Sequence, residues 1–365
     1  MQPRVVMLVD LDYFYAQCEE KRNPAIKDKP VVVCMFSGRS EDSGAVATAN
    51  YVARKYGVKS GIPIFMAKKK LEGVDSVFLP ADFELYEQVS GNIMAILKGY
   101  ADSFEQVGID EAFLDVTQRV SGSFEIAREL ALKIKGDLKA REGITGSVGV
   151  GPNKLLAKIA SDVQKPDGFT VVKPEDVQIF LDPLPVDRLL GVGKKTVEKM
   201  QTLSIKTVGD LRRFDVQRLI EVFGRSLGIY FHNAATGIDD DPVQERGEAE
   251  SFSRIATLKE DTHDLNTIVE KANTLCEDVH ATLIQHGYSF KTAGIYVVLT
   301  DMNTHSRSRT FESPTNDLAT FKEAIRELFD RFLNETELEI RRIGVRAAGF
   351  VQAKKSQKAL TDFMR

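Results

Sequence analysis

The chain has 365 residues, 43% hydrophobic and 28% charged, with a formal net charge of −4. That length exceeds one ordinary core and implies two to four domains, while the composition excludes a disordered or fibrous protein. No apolar run approaches the ~20 residues of a membrane helix and the first four residues lead straight into a strand pattern, so no signal peptide is expected and the expected compartment is the cytoplasm.

Val5-Val6-Met7-Leu8-Val9 is a continuous apolar run that predicts a strand buried on both faces, and it ends in Asp10-Leu11-Asp12. A helix starts near Tyr13, a second strand covers 31–35, and a polar loop covers 36–44. The spacing of Leu85, Val89, Ile93, Ile96 and Leu97 predicts a helix within 83–100. A hairpin follows, with arms 104–107 and 112–115 and Gly108-Ile109-Asp110-Glu111 at its turn. Helix 124–139, strand 145–150, helix 153–163 and strand 169–172 complete an α/β sheet unit. Pro174, Pro183 and Pro185 mark a change to short helices broken by glycines, up to about residue 237. The acidic stretch 239–250 reads as an exposed linker. Strand 252–258, helix 265–285, strands 290–299 and 306–311, helix 318–334 and strand 340–350 then give a βαββαβ order, the ferredoxin-like split arrangement. Residues 353–365 read as a tail.

Cys18, Cys34 and Cys276 form no CxxC pair and the five histidines lack metal-ligand spacing. Neither a zinc site nor a disulfide framework is expected, and any metal would sit on oxygen donors, as Mg²⁺ does. Phosphoryl transfer from a nucleoside triphosphate requires a carboxylate cluster that no lysine neutralises, able to hold two ions ~3.5–4 Å apart. Asp10 at a strand end and Asp110-Glu111 at a hairpin turn supply that cluster if their strands are neighbours in one sheet. Asp12 and Asp115 are weaker candidates. Taken singly, each acid has the plainer reading of a solubilising side chain.

A negative net charge is unusual for a nucleic-acid binder, so a DNA-binding role demands basic residues segregated onto one surface. Leu190-Gly191-Val192-Gly193-Lys194-Lys195-Thr196 has the form of a helix-hairpin-helix turn. Gly191 and Gly193 let backbone N–H groups approach a phosphate beside Lys194 and Lys195; a purely structural turn is the alternative. Phe223-Gly224-Arg225-Ser226 is a weaker second copy. In the last unit the acids Glu270, Glu277, Asp278, Glu323, Glu327 and Asp330 fall on helices. Arg254, Arg307, Arg309, Arg341, Arg342 and Arg346 fall on strands, so a basic sheet face is expected to meet a duplex backbone.

Val9-Asp10-Leu11-Asp12-Tyr13-Phe14-Tyr15-Ala16-Gln17-Cys18-Glu19 resembles the opening motif of the Y-family, DinB-type translesion DNA polymerases of archaea and bacteria, and Ile109-Asp110-Glu111-Ala112-Phe113-Leu114-Asp115 resembles their second carboxylate motif. The segment 44–57 resembles their finger segment and 147–161 their final palm motif. The four occur in the family's order, and the similarity spans nearly the whole chain.

The resemblance implies a multidomain α/β right-hand polymerase of low fidelity that extends primers past damaged bases. Its parts would be a palm (1–13 and 82–173), fingers (14–81), a helical thumb (174–238), a linker (239–249), a βαββαβ little finger (250–351) and a tail (352–365). It implies that Asp10, Asp110, Glu111 and the backbone carbonyl of Leu11 hold two Mg²⁺ ions. Tyr15 would be the steric gate against a ribose hydroxyl, and Thr48, Tyr51, Arg54 and Lys165 the triphosphate ligands. Gly44, Ala45, Ala47 and Gly61 would form a thin roof over the nascent base pair. Gln357, Leu360 and Phe363 resemble a sliding-clamp-binding peptide. The implied partners are primer–template DNA, deoxynucleoside triphosphates and the clamp, with no membrane, for a chain acting as a monomer. Three departures stand out: Gly108 where many members carry serine, expected to loosen the turn before Asp110; Phe113 where many carry tyrosine; and an acidic linker. The competing readings are a template-independent nucleotidyl transferase, a nucleotide cyclase and a non-catalytic DNA-binding relative.

Overall fold

The computed structural model describes residues 3–352 apart from residues 246 and 248. The clamp-like peptide at Gln357, Leu360 and Phe363 lies outside the described residues. The chain forms two compact units, one built from residues up to 34, 46–62 and 66–246, the other from 35–45, 63–65 and 247 onward.

In chain order the first half of the chain contains β1 (Val6–Leu11), α1 (Phe14–Arg22), β2 (Val31–Phe36), β3 (Gly44–Ala49), α2 (Tyr51–Arg54), α3 (Ile64–Lys70), β4 (Val77–Pro80), α4 (Phe83–Lys98), β5 (Ser103–Gln106), β6 (Glu111–Asp115), α5 (Phe124–Glu142), β7 (Gly146–Gly151), α6 (Lys154–Ser161) and β8 (Phe169–Val171). Five of these strands form one sheet in the order β5-β6-β1-β7-β8. β1 lies at its centre and is buried along its whole length, as its unbroken apolar run requires. Strand parity divides its side chains. Met7, Val9 and Leu11 join the core with Tyr86, Ile93 and Leu97 of α4 and Ala131 and Ile134 of α5. Val6 and Leu8 face the other way, onto Ala157 of α6 and Phe113. α6 can lie against the sheet because β7 carries glycine there: a Cβ at Gly149 would stand 2.0 Å from the Ala157 carbonyl oxygen. Asn153 caps α6, its side chain accepting from the Leu156 N–H. β3, α3 and β4 fall where periodicity alone predicted no element.

Short helices follow: α7 (Val177–Leu181), α8 (Lys194–Thr202), α9 (Val208–Arg213), α10 (Val216–Phe223) and α11 (Arg225–Ala235). They share a core that includes Leu181, Met200, Leu211, Leu219 and Phe231. The stretch that follows is not the free linker its acidity suggested. Val243 is buried against Val6, Leu8, Phe113 and Ala157. Asp239 accepts from the Leu155 N–H in the first turn of α6 at 2.9 Å, and the Arg4 guanidinium donates to the Asp241 carbonyl at 2.6 Å. Lys98 pairs with Glu245. One apolar residue and several nearby polar contacts dock the segment that composition assigned to solvent.

The last elements are β9 (Ser251–Thr262), α12 (Leu265–His286), β10 (Tyr288–Leu299), β11 (Thr304–Thr315), α13 (Leu318–Leu333) and β12 (Ile340–Gln352), with sheet order β11-β10-β12-β9. All adjacent strands are antiparallel. Each helix therefore links two parallel strands separated by one antiparallel strand, which is the expected split arrangement. Asp264 and Asp317 cap the two helices. No described helix is long and apolar enough to cross a membrane.

Candidate active site

The condition set by the sequence, that the two carboxylate-bearing strands be neighbours, is met. β1 and β6 pair antiparallel with Asp10 opposite Glu111, and the Leu11 N–H donates to the Asp110 carbonyl at 2.8 Å. By parity Asp10 points to the α6 side of the sheet. The turn carrying Asp110 is held by backbone and side-chain hydrogen bonds. The Val107 and Gly108 N–H groups both donate to the Glu111 carbonyl, at 3.0 and 3.2 Å. Ser90 of α4 donates to the Ile109 carbonyl at 2.5 Å. Gly108 is outside the left-handed region, and a Cβ there would stand 3.3 Å from the Asp110 carboxylate, so glycine here leaves room beside that group.

A polar cleft of about 430 Å³ opens at this point. It is lined by Asp10, Leu11, Tyr15, Ala47, Thr48, Tyr51, Arg54, Asp110, Glu111 and Lys165, every one singled out in the sequence, together with Asp12, Tyr13, Phe14, Ser60 and Lys158. Of the expected roof, Ala47 lines it and Gly61 does not, while Gly44 and Ala45 fall in the other compact unit.

The acids are not free of lysine, and here the sequence expectation fails. Lys158 of α6 places its Nζ 2.9 Å from Asp10 Oδ2 and 2.5 Å from Glu111 Oε2, while Lys165 reaches Asp10 Oδ1 at 2.7 Å and Asp162 at 2.9 Å. Burial alone would lower both ammonium pKa values. The Asp10 carboxylate, helped by Glu111 for Lys158 and Asp162 for Lys165, outweighs it and holds both above the ordinary lysine range. Burial, then the charges of Asp10 and Glu111, push Asp110 above the usual carboxylate range. Among the described residues no three acidic, histidine or cysteine side chains converge at ligand spacing. An all-oxygen donor set that already draws two cations into a half-buried cleft suits a hard divalent ion.

Tyr15 stacks on Tyr86, ring centroids 4.5 Å apart and 13° between planes, and meets Phe83 edge-on at 5.9 Å. Tyr86 donates to Glu19 at 2.7 Å. The ring is thus held on two sides, and burial, then Asp110, keep its hydroxyl protonated. Across the cleft the Arg54 guanidinium lies over the Tyr51 ring at 4.7 Å, and Tyr51 meets Tyr13 edge-on. Asp12, a weaker ligand candidate by sequence, is spent elsewhere. Its buried carboxylate accepts from Ser147 Oγ at 2.8 Å, Thr145 Oγ1 at 3.1 Å and the Asp167 N–H at 2.8 Å. Asp115 is likewise engaged, accepting from the Thr117 N–H at 2.9 Å and facing Arg4 at 3.6 Å. Lys158, Tyr86 and the Asp12 bonds were not identified from sequence; the one available signal was that Lys158 falls within the motif-like segment 147–161.

Away from the cleft, Gly191 takes a positive φ of 77° and Gly193 caps α8, with Lys194 and Lys195 exposed beside it. The helix before the turn is a single 3-10 turn, Val186–Arg188. The six strand arginines do not share one face. Arg254 is paired with Val345, Arg307 with Ile295 and Arg309 with Ala293, all core residues, so these three point to the helix side. Arg254 donates to Thr282 of α12 at 3.2 Å, Arg307 pairs with Glu335, and Arg309 reaches Glu327 of α13 at 2.5 Å. Arg341, at a register shift, faces Asp261 at 3.4 Å. Arg342 and Arg346 alternate with buried Ile343 and Val345 and lie on the open face, their Nε atoms without a hydrogen-bond partner. Assigning strands without their parity overcounted the basic face.

A sheet-end carboxylate pair beside a turn acid, a polar cleft with basic walls and a braced aromatic ring define a nucleotidyl-transfer palm. Residues 9–162 match the impB/mucB/samB family, residues 249–360 that family's C-terminal domain, and residues 187–239 the DNA polymerase-iota thumb domain. The chain is 47% identical to DNA polymerase IV of Methanosarcina acetivorans and 44% identical to that of Nitrosopumilus maritimus, each over 100% of both chains. Among solved structures, the Y-family DNA polymerase chimera Dbh-Dpo4(243-245)-Dbh matches with a TM-score of 0.90 and 35% identity over 95% of this chain and 99% of that one. An insertion ternary complex of Dbh DNA polymerase matches with a TM-score of 0.68 and 34% identity, over 94% of this chain and 98% of that one. The chain belongs to the Y-family, DinB-type DNA polymerases. It is a template-directed DNA polymerase of translesion synthesis.

Proposed function

We propose that Asp10, Asp110 and Glu111, with the Leu11 carbonyl, hold two Mg²⁺ ions that carry out nucleotidyl transfer in this chain. The observation that carries this reading is the β1–β6 pairing, which sets Asp10 opposite Glu111 with Asp110 at the adjoining turn, inside the cleft that Thr48, Tyr51, Arg54 and Lys165 line. When bound, the ions neutralise triphosphate charge and make the primer hydroxyl a better nucleophile. The chain's own groups do the rest. Arg54 offers a planar fork and Lys165 a point charge to phosphate oxygens, and Thr48 and Tyr51 offer hydroxyl donors. Tyr15, braced by Tyr86 and Phe83, fills the volume a ribose 2′-hydroxyl requires. Ala47 leaves the cleft wall thin, so shape selection against a distorted template base is weak.

Residues 1–13 and 82–173 are assigned to the palm, 14–81 to the fingers, 174–238 to the thumb, 239–249 to the linker, 250–351 to the little finger and 352–365 to the tail. Backbone N–H groups at Gly191 and Gly193, with Lys194 and Lys195, are assigned to duplex phosphates, and Arg342 and Arg346 to the open face of the last sheet. Gln357, Leu360 and Phe363 are assigned to a sliding clamp, for a monomer working in the cytoplasm. Asp110→Ala tests the central claim: primer extension is expected to vanish while the affinity for primer–template DNA changes less than twofold. Extension persisting at a tenth of the wild-type rate or more rejects the ligand assignment.

A further inference from the structure

The two lysines at the carboxylates are not equivalent. Lys165 contacts Asp10 but keeps a second partner, Asp162, outside the ligand set, so it can leave Asp10 and remain paired. Lys158 is paired to Asp10 and Glu111, both of them ligands. Its backbone has little freedom to retreat, because α6 is capped by Asn153 and packed onto Gly149 of β7. A divalent ion entering between Asp10 and Glu111 therefore meets an ammonium anchored from a rigid helix. Three carboxylates crowded at one sheet end repel one another, and the tethered cation relieves that repulsion in the metal-free protein.

We propose that Lys158 is a built-in counter-cation of the metal site: its ammonium occupies the carboxylate cluster until a divalent ion displaces it, and so sets a weak metal affinity in the free enzyme. The site closes electrostatically without metal, and metal binds firmly only when the nucleotide adds its own phosphate oxygens. This rests on the ligand assignment proposed above.

The test is direct Mn²⁺ binding to the full chain without DNA or nucleotide, read from the loss of the free-ion paramagnetic resonance signal. Lys158→Met keeps the length and removes the charge, and is expected to bind Mn²⁺ about tenfold more tightly, the equivalent of about 1.4 kcal/mol for two partly exposed pairs. Lys158→Arg keeps the charge and is expected to stay within about twofold of wild type, on the same footing. Unchanged or weaker binding in folded Lys158→Met overturns the proposal. If circular dichroism shows that variant unfolded without metal, ¹⁵N resonances of the lysine ammonium groups in the wild type decide. A slowly exchanging ammonium signal that titrates away with Mg²⁺ supports displacement, and its persistence at saturation overturns it. Asp110→Ala and Glu111→Ala separate the two claims. Mn²⁺ binding indifferent to both rejects the ligand assignment itself, whereas binding that needs them but ignores Lys158 rejects only the counter-cation.

Discussion

Replacing Asp12 by alanine removes a carboxylate that is 1% exposed and bonded to three donors, from Ser147, Thr145 and the Asp167 backbone. A hydrogen bond to a charged acceptor is worth roughly 1.5–3 kcal/mol, and a donor left unpaired in the interior costs roughly 1–3 kcal/mol. Water entering the small void recovers part of this, so the expected loss is about 4 kcal/mol, a large share of the roughly 5–15 kcal/mol that holds a domain folded. At roughly 2–4 °C per kcal/mol for a unit of this size, the melting temperature falls by about 12 °C. Function follows stability here, because Asp167 lies two residues beyond Lys165. Freeing that backbone N–H loosens the segment that holds the ammonium in the cleft, and the KM for incoming nucleotide is expected to rise more than kcat falls. Asp12→Asn keeps one acceptor oxygen and is expected to lose about half as much, since roughly half the bonding is retained. Urea unfolding followed by circular dichroism, with single-nucleotide insertion kinetics, measures both effects. A loss below about 1 kcal/mol for the alanine variant, or an asparagine variant as damaged as the alanine one, refutes the role given to these bonds.

Tyr15→Ala is expected to admit ribonucleotides, lowering the deoxy-to-ribo preference by about a hundredfold or more, as loss of a filled volume would. Tyr86→Ala, which removes the ring behind Tyr15 and the hydroxyl that donates to Glu19, is expected to lower that preference less; paired insertion assays read both, and undiminished discrimination in Tyr15→Ala removes the gate. The thiols give a pH signature. Burial pushes Cys18 and Cys276 up to about 12 and Cys34 up to about 11, so all three are neutral at pH 8. Native protein is therefore expected to resist a thiol reagent that labels three groups in denaturant. Because the folded values are raised, their contribution to stability is complete below the unfolded thiol pKa near 9 and is lost as pH climbs through about 11 to 12. Rapid native labelling at pH 8 contradicts that burial.

What local chemistry controls was legible in the chain. The unbroken apolar run of β1, the hairpin turn before Glu111, the long amphipathic α4 and the βαββαβ order follow from periodicity and turn residues, which act over a few positions. Ordered motifs that resemble a known family, rather than periodicity, pointed to Asp10, Asp110, Glu111, Tyr15, Arg54 and Lys165, which the fold brings to one cleft. Tertiary structure alone decided what those residues meet. β1 pairs with β6, which lies far beyond it in the chain, and that register sets Asp10 opposite Glu111. Parity across neighbouring strands turned Arg254, Arg307 and Arg309 toward the helices, leaving Arg342 and Arg346 on the open face. Packing of α6 onto a glycine strand brought Lys158 to acids 148 and 47 residues away. Val243 docked under the sheet despite its acidic surroundings. Each outcome depends on which distant surface lies opposite, and distance along the chain carries no record of that until the core has closed.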